Sequence, residues 1–313
     1  MTDVRIKVLY IAGFGRNGST ILGNILGELD GFFHGGELNF VWERNLLENR
    51  RCGCGAPFWE CEVWNRVFDE AFGGMEGVDA REMARLQSTH VLAFHTMLTS
   101  FPDRLRPAAH QRHKFLGRLE KLYEGIRRAT GSRVIVDSSK RPLYGYLLGT
   151  VPEVDLYVVH LVRDPRASAY SWLRKKFQPD KSGQAYMLRF NPLESSLRWD
   201  IWNAVTEALW RRSPERYLRL RYEDFVRKPQ ESIRAILKML NEGTSRLPFV
   251  DRTRVRLGTS HTVSGNPNRF QTGVVELRPD DEWAFRMVPR DRRLVTLLTL
   301  PLLARYGYPS SPG

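Results

Sequence analysis

The sequence predicts an α/β fold in which helices flank a central parallel β-sheet. Short apolar runs alternate with stretches of helical periodicity along the 313 residues, the order expected of successive βα units. The run at residues 156–162 (LYVVHLV) is almost uninterrupted, as in a strand buried on both faces of a parallel sheet. A glycine-containing loop at residues 13–20 separates the first apolar run from the first helical pattern.

Five strands and several helices follow from the apolar runs and the turn residues between them. The strand candidates are residues 4–12, 31–34, 133–136, 156–162 and 217–221. The first helix is predicted at residues 19–29 and a long amphipathic helix at residues 191–212. The apolar stripe of that long helix comprises Leu193, Leu197, Ile201, Val205 and Leu209.

A helical insertion is predicted at about residues 80–130, between the second and third strands. Pro102 and Pro107 should break it, so we expect at least two helices there. With this insertion, we expect residues 1–313 to form a single domain, since the length suits one large α/β unit.

Residues 13–20 (GFGRNGST) match the frame of a phosphate-binding loop except at one position. Gly13 and Gly18 stand where that frame needs glycine, so that backbone N–H groups can surround phosphate oxygens. Ser19 occupies the position at which a nucleotide triphosphatase carries lysine, and Thr20 follows it. The loop leads into a helix N-terminus, which attracts anions. With Arg16 as its full cation, the loop suits one terminal anionic group better than a magnesium-bound triphosphate.

A second anion-binding segment is predicted where residues 156–162 end. Arg163 follows that strand, and Asp164 and Pro165 suit the cap and the first turn of a helix. Ser171 lies two turns into the helix. The guanidinium of Arg163 and the hydroxyl of Ser171 should therefore converge on one phosphate group.

These two segments resemble the sulfotransferases that use 3′-phosphoadenosine 5′-phosphosulfate (PAPS). GRNGST resembles their 5′-phosphosulfate loop, and Arg163 with Ser171, eight positions later, resembles their 3′-phosphate site. Further similarity to bacterial stand-alone members lies in VDSSK at residues 136–140, HTVSGNPNRF at 261–270 and the closing LLARYGY. The loop arginine makes the likeness closer to the carbohydrate and tyrosylprotein branches than to the cytosolic small-molecule branch.

The resemblance implies a P-loop-like sulfotransferase fold, with PAPS as co-substrate and 3′-phosphoadenosine 5′-phosphate (PAP) as product. It implies that a polar loop at about residues 258–270 covers the nucleotide. The nucleotide-binding residues that it implies are Gly15, Arg16, Asn17, Gly18, Ser19, Thr20, Arg163, Ser171, Asn266, Arg269 and Phe270.

The general base has three candidates. Glu37, in HGGELNF, matches the acidic residue that acts as base in the tyrosylprotein branch, although an acidic residue at a helix start would also fit the helix dipole. His34 and Asp137 are the alternatives. Lys140 stands where related enzymes place a lysine or histidine near the sulfuryl group, with helix capping by adjacent serines as the structural alternative. The expected catalytic residues are Glu37, Lys140 and Arg16.

No metal ion is expected in the chemistry, because a sulfuryl group carries less charge than a triphosphate terminus. The three cysteines, Cys52, Cys54 and Cys61, lie within RCGCGAPFWEC, and their odd number excludes a complete disulfide framework. They could bind zinc if His34 or another residue supplied a fourth ligand. Because the spacing is not that of a standard zinc knuckle, reduced thiols in a structured loop are the favoured interpretation.

The chain is strongly basic, with a formal net charge of +13 and a pI near 9.9. Such a surface attracts anions of several kinds, but no nucleic-acid-binding motif accompanies it. The expected partners are therefore PAPS and an unidentified hydroxyl-bearing acceptor, less readily an amine, with at most peripheral contact with anionic surfaces. Nothing resembles a secretory signal or a membrane span, so we expect a cytoplasmic protein. The sequence indicates no oligomeric state.

Two other functions remain open at this point. An atypical P-loop kinase or NTPase would have to bind nucleotide without the loop lysine, and it has Asp137 as its one candidate magnesium-binding carboxylate. A noncatalytic anion- or nucleic-acid-binding protein would bind in a salt-sensitive way and show no preference for a 3′-phosphate.

Overall fold

Five parallel strands form the central sheet of this computed structural model, which describes residues 5–97, 106–181, 185–243 and 246–310. The strand order is β2-β3-β1-β4-β5, and helices flank both faces. The predicted fold class is therefore confirmed. The strands are β1 (Ile6–Ala12), β2 (Phe32–Gly36), β3 (Val134–Lys140), β4 (Val154–Val162) and β5 (Tyr217–Arg221).

Eleven α-helices occur in the described part of the chain. Five of them begin at a proline, where the missing N–H is one that the first helical turn leaves unpaired in any case. A two-stranded antiparallel sheet, β6 (Arg254–Leu257) with β7 (Gly273–Glu276), lies outside the main sheet. The helices are α1 (Ser19–Gly27), α2 (Glu62–Phe72), α3 (Ala80–Met97), α4 (Arg106–Thr130), α5 (Pro142–Leu148), α6 (Pro165–Leu173), α7 (Pro192–Trp210), α8 (Tyr222–Arg227), α9 (Pro229–Leu240), α10 (Glu282–Arg286) and α11 (Pro289–Arg305).

The central strand β1 shows how the sheet separates two apolar layers. It pairs with β3 on one side and β4 on the other, so that Val8 lies between Ile135 and Leu156. Val8 and Tyr10 pack into one buried cluster with residues of α2 and α4, whereas Leu9 and Ile11 pack into a second cluster with residues of α1 and α9. This alternation follows from the two-residue period of a strand with both faces covered.

The insertion between β2 and β3 contains α3 and α4, and α4 packs on α2. Pro107 lies in the first turn of α4, where proline is tolerated. The predicted break near Pro102 lies outside the described residues. Among the helices that the structure describes, none has the length and hydrophobicity needed to span a membrane.

The apolar stripe named from the sequence of α7 is not the buried face of that helix. Leu193, Leu197 and Ile201 are 48%, 48% and 55% exposed, while the helix buries Trp199 and Asn203. The reason is polar: groups at the end of β4 need hydrogen-bond partners, and α7 supplies them.

Trp199 donates its indole N–H to the carbonyl oxygen of Arg163 at 2.9 Å, just beyond β4. Asn203 forms a hydrogen bond with the buried His160 of β4, in which Asn203 Oδ1 lies 2.9 Å from His160 Nε2. Because buried polar groups must be paired, these two contacts outweigh burial of the leucine stripe.

A buried carboxylate links the insertion to the sheet. Asp137 on β3 is fully buried, and it accepts hydrogen bonds from the hydroxyl of Tyr123 on α4 at 2.6 Å and from the backbone N–H of Ser139 at 2.8 Å. Burial raises the pKa of Asp137 to about 6, although these donors oppose the shift. The carboxylate is therefore charged at neutral pH only with the support of its donors.

We expect Tyr123→Phe to lower the free energy of unfolding by about 1–3 kcal/mol, because the buried carboxylate of Asp137 loses a donor that water cannot replace. Urea unfolding at neutral pH measures the effect. Tyr186→Phe removes the same hydroxyl from a side chain that is 45% exposed, and it should change stability by less than about 0.5 kcal/mol. Equal effects of the two substitutions would contradict the assigned role of the hydrogen bond.

Candidate functional site

A cleft of about 770 Å³ opens where β1, β3 and β4 end. In open α/β sheets this carboxyl edge is where ligands bind. Eleven arginine and lysine residues line the cleft, against two acidic residues, Glu37 and Asp280. Such an excess of positive charge suits an anionic ligand. The lining contains ten of the predicted site residues, namely Gly15, Arg16, Gly18, Ser19, Thr20, Glu37, Lys140, Arg163, Ser171 and Asn266.

The loop after β1 owes its shape to three residues with positive φ. Gly13 and Gly18 have φ values of 128° and 91°, and Arg16 adopts the left-handed conformation at 69°. A side chain at Gly13 would collide with the carbonyl oxygen of Leu161, and one at Gly18 with the ring of Tyr222. The glycines are needed here for close packing of the loop as well as for its turn.

Asn17 fastens this loop to β4 and does not line the cleft. Its Nδ2 donates to the carbonyl oxygen of Leu161 at 2.8 Å, and its Oδ1 accepts from the N–H of Ser19 at 3.2 Å. The side chain is 2% exposed and positions the loop, while the predicted nucleotide contact of Asn17 stays a prediction.

Arg16 offers unused donors to the cleft. Its guanidinium lies 4.7 Å from the ring centroid of Trp172, and its Nη1 contacts Met187 Sδ at 3.3 Å. Nε and Nη2 are buried without a hydrogen-bond partner among the described residues. Burial lowers the pKa of Arg16 to about 10, while the charge of Glu37 opposes the shift and that of Arg163 adds to it. A buried, charged donor without a partner is costly, and an anion would satisfy it.

Arg163 connects the two predicted anion-binding segments. Its Nη1 donates to the carbonyl oxygen of Arg16 at 2.8 Å, and its Nη2 lies 2.6 Å from Asp280 Oδ2. Ser171 lines the same cleft from α6. That helix begins as the sequence predicts, with Pro165 in its first turn and the side chain of Asp164 accepting from the N–H of Arg166. The end of β4 and the capped helix α6 therefore bring the side chains of Arg163 and Ser171 to the same cleft.

Glu37 and Lys140 form an ion pair at the other side of the cleft. Lys140 Nζ lies 2.6 Å from Glu37 Oε1, and the side chains are 11% and 13% exposed. Burial alone would raise the pKa of Glu37, but the cations Lys140, Arg44 and Arg141 together lower it. The carboxylate is therefore ionised at neutral pH. Lys140 also donates to the carbonyl oxygen of Ser138 at 2.9 Å.

The two glycines before Glu37 serve a close backbone contact. Gly36 has a φ of 82°, and a side chain there would collide with the carbonyl oxygen of Val263. The N–H of Glu37 donates to that same oxygen at 3.2 Å, and the N–H of Val263 donates to Gly35 at 2.9 Å. The position of Glu37 thus depends on the segment at residues 258–270.

The other two candidate bases lie outside the described lining of the cleft. Both ring nitrogens of His34 lie 3.1 Å from polar partners, Asn24 Oδ1 and Ser138 Oγ. Burial, with a contribution from the charge of Lys140, lowers the pKa of His34 to about 3. Asp137 is fully buried in the network with Tyr123. Of the three candidates, Glu37 is the one that a ligand in the cleft can contact.

The segment at residues 258–270 is only partly as predicted. Asn266 lines the cleft, and its Oδ1 accepts from Lys176 Nζ at 2.7 Å. Arg269 does not line it, since its guanidinium donates to the carbonyl oxygens of Thr262 at 2.6 Å and Arg51 at 2.7 Å.

Phe270 also lies outside the lining, with its ring centroid 4.4 Å from the guanidinium carbon of Arg269. The nucleotide contacts of Arg269 and Phe270 stay predictions, while in the structure both side chains contact other parts of the protein. The carbonyl oxygen of Thr262 also accepts from the N–H of Gly53, so Arg269 adds a second donor there and joins Thr262 to Arg51.

Sequence reasoning missed several cleft residues. Trp172, directly after Ser171, packs against Arg16 and donates its indole N–H to the carbonyl oxygen of Gly15 at 3.2 Å. Its position beside a predicted site residue was a usable signal. Asp280 lies more than 100 residues from its partner Arg163, and nothing in the local pattern indicates that contact.

Comparisons with known proteins agree with this geometry. A family model described as "Sulfotransferase family" matches residues 9–245. The structure is similar to the sulfotransferase domain from the Synechococcus PCC 7002 olefin synthase, with a TM-score of 0.53 and 21% identity over 98% of this chain and 96% of that one.

It is also similar to the sulfotransferase domain from the curacin biosynthetic pathway, with a TM-score of 0.54 and 18% identity over 96% of this chain and 97% of that one. At these identities the structural likeness shows a shared fold. A comparison with curated proteins found no significant match.

We expect Lys140→Met to destabilise the protein by on the order of 3 kcal/mol, because it leaves the buried carboxylate of Glu37 without its nearest cation. Adding Glu37→Gln should recover most of that loss, and chemical unfolding of the two single variants and the double variant gives the coupling energy. The exposed pair of Lys114 with Glu82 is the control, and Lys114→Met should cost less than about 1 kcal/mol. A double variant as unstable as the sum of its single variants would show that the two side chains are not coupled.

Proposed function

The chain belongs to the sulfotransferase family, and on this premise we propose that it transfers a sulfuryl group from PAPS to a hydroxyl group, or less readily an amine, of an acceptor. The observation that carries the proposal is that one cationic cleft contains both the unpartnered guanidinium nitrogens of Arg16 and, bonded to the backbone of that residue, Arg163. A donor with anionic groups at two positions would use both arginines.

The phosphosulfate end of the donor is assigned to the loop after β1. Arg16 would donate Nε and Nη2 to it, Ser19 and Thr20 would donate hydroxyl hydrogen bonds, and the loop lies at the N-terminus of α1, which favours an anion. Trp172 packs beside Arg16 and limits its movement.

The 3′-phosphate is assigned to Arg163 and Ser171. Without an anion, the charge of Arg163 is neutralised by Asp280, whose side chain is 36% exposed and can turn toward solvent. A phosphate group carries more negative charge than one carboxylate and is therefore a stronger acceptor for the guanidinium group of Arg163. Asn266, with Lys176 bonded to it, completes the polar wall on the side of residues 258–270.

The chemistry is assigned to Glu37 and Lys140. In an in-line displacement a new bond forms from the acceptor oxygen to sulfur while the bond from sulfur to the bridging oxygen breaks, and the hydroxyl proton leaves. Glu37 would take that proton, and Lys140 would donate to the bridging oxygen as negative charge develops on the departing phosphate. The resting ion pair keeps Glu37 ionised, and transfer of Lys140 to the bridging oxygen would free the carboxylate to act as base.

We place this activity in the cytoplasm, where PAPS is available. The cationic excess of the cleft extends beyond the residues assigned to the donor. Arg44 and Arg141 also line the cleft, with their guanidinium carbons 3.5 Å and 5.1 Å from the centroid of the Phe40 ring. The charges of both arginines lower the pKa of Glu37. They are available to orient a polar acceptor next to the proposed base.

Binding of 3′,5′-ADP, the product expected from PAPS, tests the donor assignment. Calorimetric titration should show tighter binding of 3′,5′-ADP than of 5′-AMP. Arg163→Ala should weaken 3′,5′-ADP binding by roughly 10–100-fold and abolish the preference, because charge-assisted hydrogen bonds to the 3′-phosphate are lost. Arg128→Ala, which removes one exposed charge, is the control and should leave the affinity within about twofold.

Equal binding of 3′,5′-ADP and 5′-AMP by the wild-type protein would contradict the donor assignment. Magnesium-dependent ATP turnover that survives Arg16→Ala would instead favour the atypical kinase or NTPase. Weak binding of both nucleotides that disappears with added salt would favour a noncatalytic anion-binding protein.

Transfer of radiolabelled sulfate from PAPS into an extract of the native host tests the base. Glu37→Gln should lower the initial rate by about 10²–10⁴-fold, while 3′,5′-ADP affinity stays within about threefold, since the amide cannot accept the proton. The control is Glu43→Gln, because Glu43 is exposed and lies in the short π-helix, Val41–Leu47, that follows Glu37. Comparable rates for wild type and Glu37→Gln would place the base elsewhere.

A further inference from the structure

Three cysteines and a histidine gather outside the cleft. Cys52, Cys54, Cys61 and His261 each offer one ligand atom, and these atoms all lie within 4.8 Å of one another. The fourth member differs from the one that the sequence suggested, because His34 is bonded to Asn24 and Ser138. His261 comes from a segment 200 residues beyond Cys61.

Three distances within this cluster are close to those around a tetrahedral zinc ion. With Zn–S and Zn–N bonds of about 2.3 and 2.0–2.1 Å, ligand sulfurs should be about 3.8 Å apart and sulfur about 3.5 Å from nitrogen. The Sγ atoms of Cys54 and Cys61 are 3.9 Å apart, and His261 Nδ1 lies 3.3 Å from Cys61 Sγ and 4.0 Å from Cys52 Sγ.

We propose that Cys52, Cys54, Cys61 and His261 bind one Zn²⁺ ion in a structural site. Three thiolates and one imidazole nitrogen are the ligand set that zinc prefers in tetrahedral geometry, and binding releases the thiol protons. Four protein ligands leave no position for substrate, and Cys52 and Cys61 are buried. The ion therefore supports the fold and takes no part in the transfer reaction.

Backbone and side-chain hydrogen bonds fix the segments that carry the cluster. The N–H of Gly55 donates to the carbonyl oxygen of Cys52 at 2.9 Å, and Gly55 has a φ of 93°, so a tight turn carries the first two cysteines. The indole of Trp64 donates to the carbonyl oxygen of His261 at 2.7 Å. Hydrogen bonds that hold the ligand-bearing turns in place lower the conformational cost of binding a metal.

A disulfide explains the cluster less well. A disulfide joins two sulfurs at about 2.0 Å and would leave the third cysteine and the histidine without a role. All three cysteines are free thiols in this structure. A metal ion uses all four side chains at once.

The proposed ion would connect two distant parts of the chain next to the cleft. The N–H of Gly53 donates to the carbonyl oxygen of Thr262 at 2.9 Å, which places the cysteine turn directly against the segment that carries His261. Val263, two residues after His261, pairs with the backbone of Gly35 and Glu37. Zinc would therefore stabilise the backbone position of Glu37, and it would do so by closing a loop of some 200 residues.

Elemental analysis of the full-length protein, purified without a histidine tag and without added chelator, tests the site. We expect about one zinc ion per chain in the wild type and less than about 0.2 in Cys61→Ser and His261→Ala. His113→Ala is the matched control, since His113 is exposed and lies outside the cluster, and it should retain the zinc content of wild type.

Cobalt substitution keeps the test decisive where a variant fails to fold. Wild-type protein freed of zinc and given Co²⁺ should develop the intense sulfur-to-metal charge-transfer band and the visible d–d bands of a tetrahedral thiolate site. Removal of zinc should also lower Tm by several degrees, and added Zn²⁺ should restore it. These measurements do not depend on the transfer activity.

Two results would overturn the proposal. One is wild-type protein from zinc-supplemented cells that contains less than about 0.2 zinc per chain and gives no thiolate charge-transfer band with Co²⁺. The other is an intact mass two hydrogens below that of the reduced chain, which would show that two of the cysteines form a disulfide instead.

Discussion

One hydrogen bond joins the two halves of the candidate site. Arg163, at the end of β4, donates to the carbonyl oxygen of Arg16 at 2.8 Å. Arg16 adopts the left-handed backbone conformation, and Asn17 beside it is bonded to the same strand through Leu161. The loop after β1 and the strand end after β4 therefore form one rigid unit. A change that moves either segment moves both proposed anion-binding positions.

The electrostatics of the cleft follow from that arrangement. Burial lowers the pKa of Arg16, and the charge of Arg163 adds to the shift, so the cleft places cations in an unfavourable environment. Asp280 and Glu37 offset part of this charge, each through one close ion pair. Since two carboxylates neutralise only part of the excess, an anionic ligand gains binding energy from interactions that the free protein cannot complete.

Much of this architecture could be predicted from the sequence, because buried parallel strands leave a direct signal. Every predicted strand of the main sheet overlaps an observed one, and β5 has the predicted bounds. The capped start of α6 at Asp164 and Pro165 was predicted from residue types that act locally. The left-handed glycines of the first loop belong to the same class of local constraint.

The features that the sequence did not reveal are contacts between distant segments. The leucine stripe of α7 has a clear helical period. The buried face of the helix is nevertheless the one that carries Asn203 and Trp199, because these side chains pair with polar groups at the end of β4. The motif around Arg269 resembles a nucleotide loop, yet local sequence cannot tell whether an arginine faces the cleft or the backbone of its own segment. His261 likewise meets the cysteines only after the chain has folded.

Glu37 lies immediately after β2, which is an edge strand of the sheet. Because an edge strand has a neighbour on one side only, the contacts that residues 261–263 make near Glu37 are important for its position. An edge strand has an unpaired row of backbone groups and is less constrained than a central strand. Val263 forms a parallel bridge to Gly36 and so pairs the last part of that edge, while the side chain of His261 reaches the cysteine cluster. A carboxylate that must stay within hydrogen-bond distance of Lys140 needs its backbone fixed from both sides. The bridge between Val263 and Gly36 fixes the backbone on the second side. The position of the proposed base therefore depends on a segment more than 200 residues away in the sequence.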